Sequence, residues 1–379
     1  MTDTRLATLP TPCLLVDEGR MKRNIARLSA RAARLGVSER PHLKTTKSVE
    51  AARYVLKDGN GPATVSTLAE AEVFAAAGIA DICYGVGIAP DKLERVLALH
   101  RGGCRVIVLL DSVVQAQAVA DASRASGIAI PAMIEIDSDG HRSGLTPDDP
   151  ALVAVGRALH EGGAVLEGVL CHAGESYHAV GRAAQAEFAE IERAAVVASA
   201  GALRDAGLPC PVVSVGSTPT AHAAEDLTGV TEMRAGVYVF FDLVMAGIGV
   251  CAVDDIALSV LTTVIGHQAA KNWAIVDAGW MAMSRDRGTA AQAVDQGYGI
   301  VCDAAGTPIP DLIVRQANQE HGVIAVRDGS GGTMPDLPTG TRLRILPNHA
   351  CATAAQHARY HVIPEQAGDM MVWERFGGW

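Results

Sequence analysis

Short runs of β-branched and aliphatic residues alternate with longer amphipathic stretches through the first two thirds of the chain. In the longer stretches, apolar positions recur at helical spacing among Ala, Glu and Arg. This alternation predicts eight strands and the helices that connect them. The predicted strands are Arg40–Lys44, Thr64–Leu68, Ile82–Val86, Val106–Leu110, Ala132–Asp137, Glu167–His172, Pro211–Gly216 and Glu232–Val237. The predicted helices are Ser48–Lys57, Ala69–Ala77, Pro90–Leu99, Val113–Ser126, Ala151–His160 and Val180–Ala206.

The alternation of strands and helices predicts parallel pairing, because each crossover between parallel strands needs a connecting helix. Gly127 and Gly207 follow helical segments, where a left-handed residue commonly ends a helix. Eight such units predict a (β/α)8 TIM barrel within residues 1–250. A further strand and helix, Cys13–Val16 and Glu18–Leu35, precede the first barrel strand. An open doubly wound sheet is the alternative architecture, but no GxGxxG follows the first strand.

From about residue 250 the pattern changes to short apolar runs between turns rich in Gly, Pro and Asp. Helical periodicity is largely absent there. The predicted strands are Ile256–Ile265, Trp273–Val276, Leu312–Arg315, Gly322–Val326, Arg342–Ile345 and Val372–Glu374. This pattern predicts an antiparallel β domain over residues 251–379. The expected fold class is therefore α/β, with an N-terminal barrel and a C-terminal antiparallel domain.

Composition and charge narrow the functional classes. The 379 residues are 49% hydrophobic and 20% charged, which favours a full core over disorder. The net charge of −10, without a dense Lys/Arg run, argues against nucleic acid as a partner. No apolar stretch reaches the roughly 20 residues needed to span a bilayer, and the N-terminus has no apolar signal core. Eight scattered cysteines without a CxxC pair are typical of a reduced, cytoplasmic chain.

A lysine at the end of the first predicted strand is the first candidate for chemistry. Active sites of (β/α)8 barrels lie at the C-terminal ends of the strands, where Lys44 is expected next to His42. A lysine that is partly desolvated in a barrel mouth can form a Schiff base with a carbonyl compound. A solvated surface charge is the more common role of a lysine, and spacing alone does not decide between the two.

The segment Gly-Ser-Thr-Pro-Thr, residues 216–220, is a candidate anion site. Successive backbone N–H groups in such a turn favour an anion, and the hydroxyls of Ser217 and Thr218 add donors. An ordinary turn that caps the following helix explains the same residues. Gly236 and Tyr238, at the end of the next strand, are able to supply further donors.

His349 and Cys351 form a His-x-Cys pair near the C-terminus. If the segment is extended, residues two apart share one face, so the imidazole and the thiolate can converge on one ion. These ligands suit Zn²⁺. A turn histidine beside a buried cysteine is the alternative, since two ligands are a weak signal.

Five separated motifs occur in the order found in one known enzyme family. They are Arg-Pro-His-Leu-Lys-Thr-Thr-Lys (40–47), Asp-Gly-His-Arg-Ser-Gly (139–144), Gly-Ser-Thr-Pro-Thr (216–220), Arg-Ala-Gly-Val-Tyr-Val-Phe-Phe-Asp (234–242) and Pro-Asn-His-Ala-Cys (347–351). Together they resemble the pyridoxal 5′-phosphate (PLP) enzymes of the D-serine dehydratase and D-threonine aldolase family. The resemblance runs from Thr11 to the C-terminus and implies the alanine racemase fold. Through Ser-Thr-Leu-Ala-Glu-Ala-Glu (66–72) and Ile-Glu-Ile-Asp-Ser-Asp-Gly-His-Arg-Ser-Gly (134–144), the chain resembles the bacterial D-threo-3-hydroxyaspartate dehydratases within that family.

The resemblance also implies roles for individual residues. Lys44 matches the lysine that carries PLP, and His349 and Cys351 match a metal pair that assists catalysis. The metal is expected to be Zn²⁺, with Mn²⁺, Co²⁺ or Mg²⁺ as alternatives. Thr46 departs from many members of the family, which have histidine there. The implied cofactor-binding residues are Lys44, Arg142, His172, Tyr177, Ser217, Thr218, Gly236 and Tyr238.

The expected activity is elimination of water from a D-3-hydroxy amino acid, D-threo-3-hydroxyaspartate or D-serine, to give a 2-oxo acid and ammonia. In the family this resembles, aldolases tend to have aspartate where Cys351 stands and D-serine dehydratases have cysteine, which favours elimination. Retro-aldol cleavage is the first alternative and racemisation the second. A cofactor carrier without catalysis is a further class. By analogy with relatives of this fold we expect a homodimer. The candidates for binding a substrate side-chain carboxylate are His141, Arg142, His178, Arg285 and Arg287.

Overall fold

The computed structural model describes residues 5–379, which fold into two compact units. One unit contains Ile25–Gly236 and Phe376–Trp379, and the other contains the described residues up to Asn24 together with Val237–Arg375. Residues 1–4, part of the segment in which no export signal was expected, lie outside the described range. None of the helices within 5–379 combines the length and the apolar character that crossing a bilayer requires.

The strands are β1 Cys13–Asp17, β2 Ser38–Glu39, β3 Ala63–Val65, β4 Asp81–Gly87, β5 Arg105–Leu110, β6 Pro131–Ile136, β7 Val165–Cys171, β8 Val212–Val215, β9 Glu232–Met233, β10 Leu258–Gln268, β11 Trp273–Val276, β12 Ile300–Cys302, β13 Pro308–Ala317, β14 Gly322–Val326, β15 Arg342–Leu346, β16 Arg359–Ile363 and β17 Met371–Glu374. The α-helices are α1 Glu18–Leu35, α2 Val49–Val55, α3 Leu68–Ala76, α4 Leu93–Arg101, α5 Val113–Ser126, α6 Ala151–His160, α7 Arg182–Asp205, α8 Thr218–Ala223, α9 Leu243–Gly247, α10 Trp280–Met283 and α11 Ala350–Ala354.

The first unit is built on a parallel sheet with the strand order β2-β9-β8-β7-β6-β5-β4-β3. Its two edges are joined, because His42 forms a parallel bridge with Thr64 and the Leu43 N–H donates to the Thr64 carbonyl at 2.8 Å. The predicted eight parallel strands are therefore present. The strict alternation of eight strands with eight helices is not, since no helix among the described residues of this unit follows β9.

Apolar side chains and one charged cluster fill the inside of this sheet. Residues that point inward from successive strands, such as Ile107, Met133 and Leu170, are at most 2% exposed. Arg40, which follows β2, places its Nε 3.0 Å from Glu232 Oε2 and its NH1 2.8 Å from Asp81 Oδ1. The Arg40 and Glu232 side chains are almost fully buried, so each charge depends on its partner for the solvation that water would otherwise provide.

The second unit is a nine-stranded, mostly antiparallel sheet with the order β11-β14-β13-β12-β15-β10-β1-β16-β17. Strand β1 lies in this sheet, antiparallel to β10 and parallel to β16. The unit thus includes the N-terminal strand β1 and the residues from Val237 on. The sequence-based division at residue 250 places β1 and residues 237–250 with the barrel instead. The two divisions differ because β1 pairs with β10, more than 200 positions away along the chain, and local residue patterns do not reveal such pairing.

Candidate active site

Lys44 lies in a tight turn just beyond the first strand of the parallel sheet. The strand predicted over Arg40–Lys44 is wrong in its bounds, since β2 ends at Glu39. The Leu43 carbonyl accepts from the backbone N–H groups of Thr46 at 3.2 Å and Lys47 at 2.9 Å, and from the Thr46 hydroxyl at 3.2 Å. These bonds curl residues 43–46 out of the sheet, and the side chain of Lys44 is exposed at its carboxyl edge.

The second lysine of the motif has a different environment. Lys47 Nζ lies 3.0 Å from Glu70 Oε1, and the Glu70 side chain is only 1% exposed. The backbone of Lys47 has φ +40°, and the Lys47 carbonyl accepts from the Phe376 N–H at 3.0 Å. The Lys47 side chain therefore forms a structural ion pair while its backbone binds the C-terminal segment, and Lys44 is the candidate for chemistry.

Two neutral imidazoles lie beside Lys44. Burial, the charge of Lys44 and the buried guanidinium of Arg234 hold the pKa of His42 well below its usual range. Burial first and the Lys44 charge second lower the pKa of His172 to about 3. His172 Nδ1 lies 2.5 Å from the Gly216 carbonyl, which only accepts, so Nδ1 carries the proton and Nε2 keeps a free lone pair. The Tyr177 ring packs 6.1 Å from the His172 ring, centroid to centroid.

Arg142 lies in the loop that follows β6. Its side chain is about half exposed, and its NH2 is 3.5 Å from Oε1 of the buried Glu135. The Ser143 hydroxyl donates to the other oxygen of Glu135 at 3.1 Å. Desolvation raises the pKa of Glu135, although Arg142 and Ser143 oppose the shift. Arg142 also contributes to the low pKa of His172, which places it on the same edge as Lys44.

The segment after β8 forms a buried turn that leads into α8. Ser217 caps α8, because its hydroxyl accepts from the Thr220 N–H at 3.2 Å while the Thr220 hydroxyl accepts from the Ser217 N–H at 3.2 Å. The Thr218 hydroxyl is buried without a hydrogen-bond partner in the described structure. Gly216 is required, since an added Cβ would lie 1.8 Å from the Arg234 carbonyl oxygen. The alternative interpretation, a helix cap, is therefore present at Ser217, and the anion site stays a prediction that the unsatisfied Thr218 hydroxyl is compatible with.

Gly236 and Tyr238 follow β9; Gly236 is the last residue of the first unit before the chain continues into the second. A Cβ on Gly236 would lie 3.0 Å from the His42 carbonyl oxygen and 3.1 Å from Thr45 Oγ1, so the chain comes very close to the Lys44 turn here. Tyr238 belongs to the second unit and is 1% exposed.

Sequence reasoning missed two buried charged residues at this edge. Arg234 donates from Nε to the Ser214 hydroxyl at 2.8 Å and from NH2 to the Cys171 carbonyl. Glu192, on α7, accepts from the N–H groups of Ala173 at 3.1 Å and Gly216 at 2.9 Å. Arg234 is the first residue of the 234–242 motif, which is a sequence signal for it. Glu192 lies in the middle of α7, and its only unusual feature in the sequence is a charged residue within an apolar stretch.

His349 and Cys351 converge in the second unit, but not through an extended segment. His349 is the N-cap residue of α11, with extended φ and ψ of −137° and 109°, and Cys351 lies in the first turn of that helix. A side-chain hydrogen bond links the two. The carboxylate of the buried Asp242 accepts from the Ala350 N–H at 2.9 Å and so fixes the start of α11. The helix start, rather than strand alternation, brings the pair together.

Asp286 is a further partner of His349 that sequence reasoning did not find. Its Oδ2 lies 2.6 Å from His349 Nδ1, and its Oδ1 accepts from the Gly288 N–H at 2.8 Å. The hydrogen bond to His349 holds the pKa of Asp286 below its usual range. Because a carboxylate only accepts, His349 carries a proton on Nδ1, so the hydrogen bond with Cys351 uses Nε2. Nε2 and the Cys351 sulfur would therefore be the two ligand atoms of an ion that replaces this hydrogen bond.

A metal would find two strong protein ligands here. No group of three or more His, Cys, Asp or Glu side chains within residues 5–379 is arranged to hold an ion. Imidazole and thiolate are nonetheless a donor set that suits Zn²⁺, and two protein ligands leave coordination positions open, as a catalytic site requires. The donor chemistry of the pair therefore fits a catalytic rather than a structural metal.

The candidate carboxylate-binding residues divide between the two units. His141 and His178 each place Nδ1 against one oxygen of Glu175, at 2.8 and 3.1 Å, which lowers the pKa of that carboxyl. Arg285 stacks on Trp280, with its Cζ 4.3 Å from the ring centroid. Arg287 is 2.7 Å from an oxygen of Asp295.

Comparison with known proteins adds a second line of observation. The alanine racemase N-terminal domain model matches residues 16–244, and a serine dehydratase domain model matches residues 257–363. The chain is 57% identical to the D-threo-3-hydroxyaspartate dehydratase of Delftia sp. (strain HT23), over 100% of both chains. The solved structure of that enzyme has a TM-score of 0.96 with 99% of this chain and 100% of its own covered. A metal-free cysteine-to-alanine variant of D-threo-3-hydroxyaspartate dehydratase, 56% identical, matches with the same TM-score and coverage.

More distant relatives carry two different activities in their names. A D-serine dehydratase of Dictyostelium discoideum is 30% identical over 94% of this chain and 93% of its own. A 3-hydroxy-D-aspartate aldolase of Paracoccus denitrificans is 27% identical over 93% of this chain and 88% of its own. Relatives named for dehydration and for aldol cleavage therefore both match over more than 90% of this chain.

Proposed function

Since the chain belongs to the alanine racemase-like family that includes the D-threo-3-hydroxyaspartate and D-serine dehydratases, we propose that it is a PLP-dependent lyase that dehydrates D-threo-3-hydroxyaspartate or D-serine. The products are a 2-oxo acid, oxaloacetate or pyruvate, and ammonia. The observation that carries this proposal is the 57% identity to a dehydratase over the whole chain.

The parallel unit offers residues that fit PLP. The exposed amine of Lys44 would hold the aldehyde, and the buried Thr218 hydroxyl together with the N–H groups of its turn would hold the phosphate. We also propose His172, Tyr177 and Arg142 as neighbours of the ring, and Gly236 and Tyr238 as further phosphate residues. PLP, when bound, supplies an electron sink for a bond broken at the substrate Cα.

The chain's own groups then account for the proton steps. The Lys44 amine, when neutral, takes the proton from the substrate Cα. His172 remains neutral because its pKa is about 3, and it donates only through Nδ1 to the Gly216 carbonyl. It therefore orients its ring without competing with Lys44 as an acid. The guanidiniums of Arg142 and Arg234 make this edge cationic, which favours a substrate carboxylate.

We propose that His349 and Cys351 hold a divalent metal that assists departure of the hydroxyl group. Such an ion would supply Lewis-acid stabilisation worth several kcal/mol, and about 1.4 kcal/mol corresponds to tenfold in rate. The thiolate favours Zn²⁺ over Mn²⁺, Co²⁺ and Mg²⁺. Under this proposal the residues up to 250 carry the cofactor, and 251–379 carry the metal pair. The homodimer and the cytoplasmic location stay predictions.

Retro-aldol cleavage is the second candidate function, because a 3-hydroxy-D-aspartate aldolase matches over 93% of the chain. Cleavage would keep the C–O bond and give glycine and an aldehyde. The deciding experiment incubates the holoenzyme with D-serine, D-threonine and both D-3-hydroxyaspartate diastereomers, with and without chelator. We expect 2-oxo acid and ammonia in equal amounts, lost on chelation, and Lys44→Ala should abolish turnover and borohydride trapping of PLP.

Three results would contradict the proposal, each in favour of another function. Glycine as the main product would establish an aldolase. Inversion at Cα that survives chelation would establish a racemase. Bound PLP without turnover of any D-amino acid would establish a carrier.

A further inference from the structure

Glu192 connects two turns that carry proposed cofactor residues. It lies on α7 and is 1% exposed. One carboxylate oxygen accepts from the N–H of Ala173, next to His172, and from the N–H of Gly216, next to Ser217. The other oxygen accepts from the Thr220 hydroxyl at 2.8 Å. A single buried side chain therefore sets the spacing of the turns after β7 and β8.

The hydroxyl groups of Ser176, Ser217 and Thr220 lie close together near Glu192, and each has a single proton to donate. The Thr220 proton is donated to Glu192, and the Ser176 proton is donated to the Ala173 carbonyl at 2.6 Å. The Ser217 hydroxyl contacts Thr220 Oγ1 at 2.9 Å and Ser176 Oγ at 2.8 Å. Since a hydroxyl has one proton, that of Ser217 is required at one of these two contacts. Ser217 can satisfy only one of the two contacts, and its donation to any other acceptor would leave both O···O contacts without a proton.

Thr218 is the opposite case. Its hydroxyl is buried in the same turn, 1% exposed as a residue, and has no partner within the described structure. A buried hydroxyl without a hydrogen bond costs free energy unless a ligand or a water satisfies it. Of the two adjacent hydroxyls, only this one has a proton available for an anion.

We propose that Glu192 is a positioning residue that commits the Ser217 hydroxyl to the cap of α8 and leaves Thr218 as the hydroxyl that donates to the cofactor phosphate. This inference rests on the proposed function, because it concerns the phosphate of PLP. The role of Glu192 is in its hydrogen-bond geometry and not in its charge. In the Glu192→Gln variant, the neutral amide can accept both N–H groups with its oxygen and donate to Thr220, whose proton then turns to Ser217.

The test compares binding of PLP with binding of pyridoxal, which lacks the phosphate, to the apoprotein. Thr218→Val should weaken PLP binding about tenfold to a hundredfold and leave pyridoxal binding unchanged, since one hydrogen bond to a charged group is lost. Ser217→Ala should lower the melting temperature through loss of the cap and leave the ratio of the two affinities within about threefold of wild type. Glu192→Gln should keep the wild-type ratio, and Glu192→Leu should lower it as Thr218→Val does.

Several outcomes would overturn the inference. They are a loss in Ser217→Ala equal to that in Thr218→Val, a wild-type ratio in Glu192→Leu, or an equal loss in Glu192→Gln and Glu192→Leu. If Glu192→Leu does not fold, the serine and threonine variants together with Glu192→Gln still decide the assignment. Failure of the wild-type protein to bind PLP, or a borohydride label away from Lys44, would contradict the proposed function instead.

Discussion

Asp286 should determine how tightly the His349–Cys351 pair binds a metal. The 2.6 Å contact from His349 Nδ1 to Asp286 Oδ2 fixes a proton on Nδ1, so Nε2, which faces Cys351, is the nitrogen that would bind the ion. Removal of such a partner costs roughly 10–100-fold in metal affinity, which is about 1.4–2.7 kcal/mol. Asp286→Ala should therefore bind Zn²⁺ about 10–100-fold more weakly than the wild type.

Asp286→Asn should also weaken the site, although it keeps the shape of the side chain. Asp286 accepts from two donors, His349 Nδ1–H and the Gly288 N–H, through separate oxygens. An asparagine has one oxygen, so its NH2 group would face one of these donors. We expect Asp286→Asn to fall between wild type and Asp286→Ala. Asp295→Asn is the matched control, because Asp295 lies in the same segment but pairs with Arg287.

The assay is competition between the metal-depleted protein and a chromophoric chelator for Zn²⁺, with PLP content measured in parallel. The reasoning requires a weaker Zn²⁺ affinity at unchanged PLP content in both Asp286 variants and no change in Asp295→Asn. Equal affinity in all four proteins would refute it, and so would equal loss in the Asp295 control.

Three further predictions test the turn, the buried ion pair and the buried histidine of the parallel unit. Gly216→Ala should lower PLP affinity at least about tenfold, because the added Cβ would lie 1.8 Å from the Arg234 carbonyl oxygen and the turn must shift. Gly201→Ala is the control: nothing lies within 4 Å of its added Cβ, so its PLP affinity should equal that of the wild type. Arg40→Ala should lower the free energy of unfolding, measured with urea, by about 3–5 kcal/mol, because it leaves the Glu232 carboxylate buried without its cationic partner. A change below about 1 kcal/mol would contradict the importance of this ion pair. The apoprotein should lose stability as the pH falls from about 6.5 toward 3, because His172, with a folded pKa of about 3, stays neutral while the unfolded chain takes up a proton. His172→Asn should reduce that loss, measured as the urea midpoint against pH, and an unchanged slope would count against the low pKa.

The alternation of apolar runs and amphipathic stretches was enough to predict the parallel sheet. Its strands and helices are local features, so α1, α5 and α6 have the predicted bounds. The same local logic located the Lys44 motif, the turn after β8 and the His-x-Cys pair. It did not find β12, which has three residues, or β16, in which Arg359 and His361 interrupt the apolar positions. It also missed α11, a five-residue helix that is too short to show a helical period.

The geometry of the site depends on contacts that are distant along the chain, and only the tertiary structure reveals them. Lys44 leaves the strand because of hydrogen bonds within its turn, and β1 joins the second sheet because its partners are β10 and β16. Asp286 is 63 positions from His349, and Glu192 is 24 from Gly216. Local residue patterns set which elements form and which chemical groups are present. Burial and long-range hydrogen bonds decide which group keeps a proton, which accepts one and which is free to bind, and these depend on neighbours that the chain brings together only when folded.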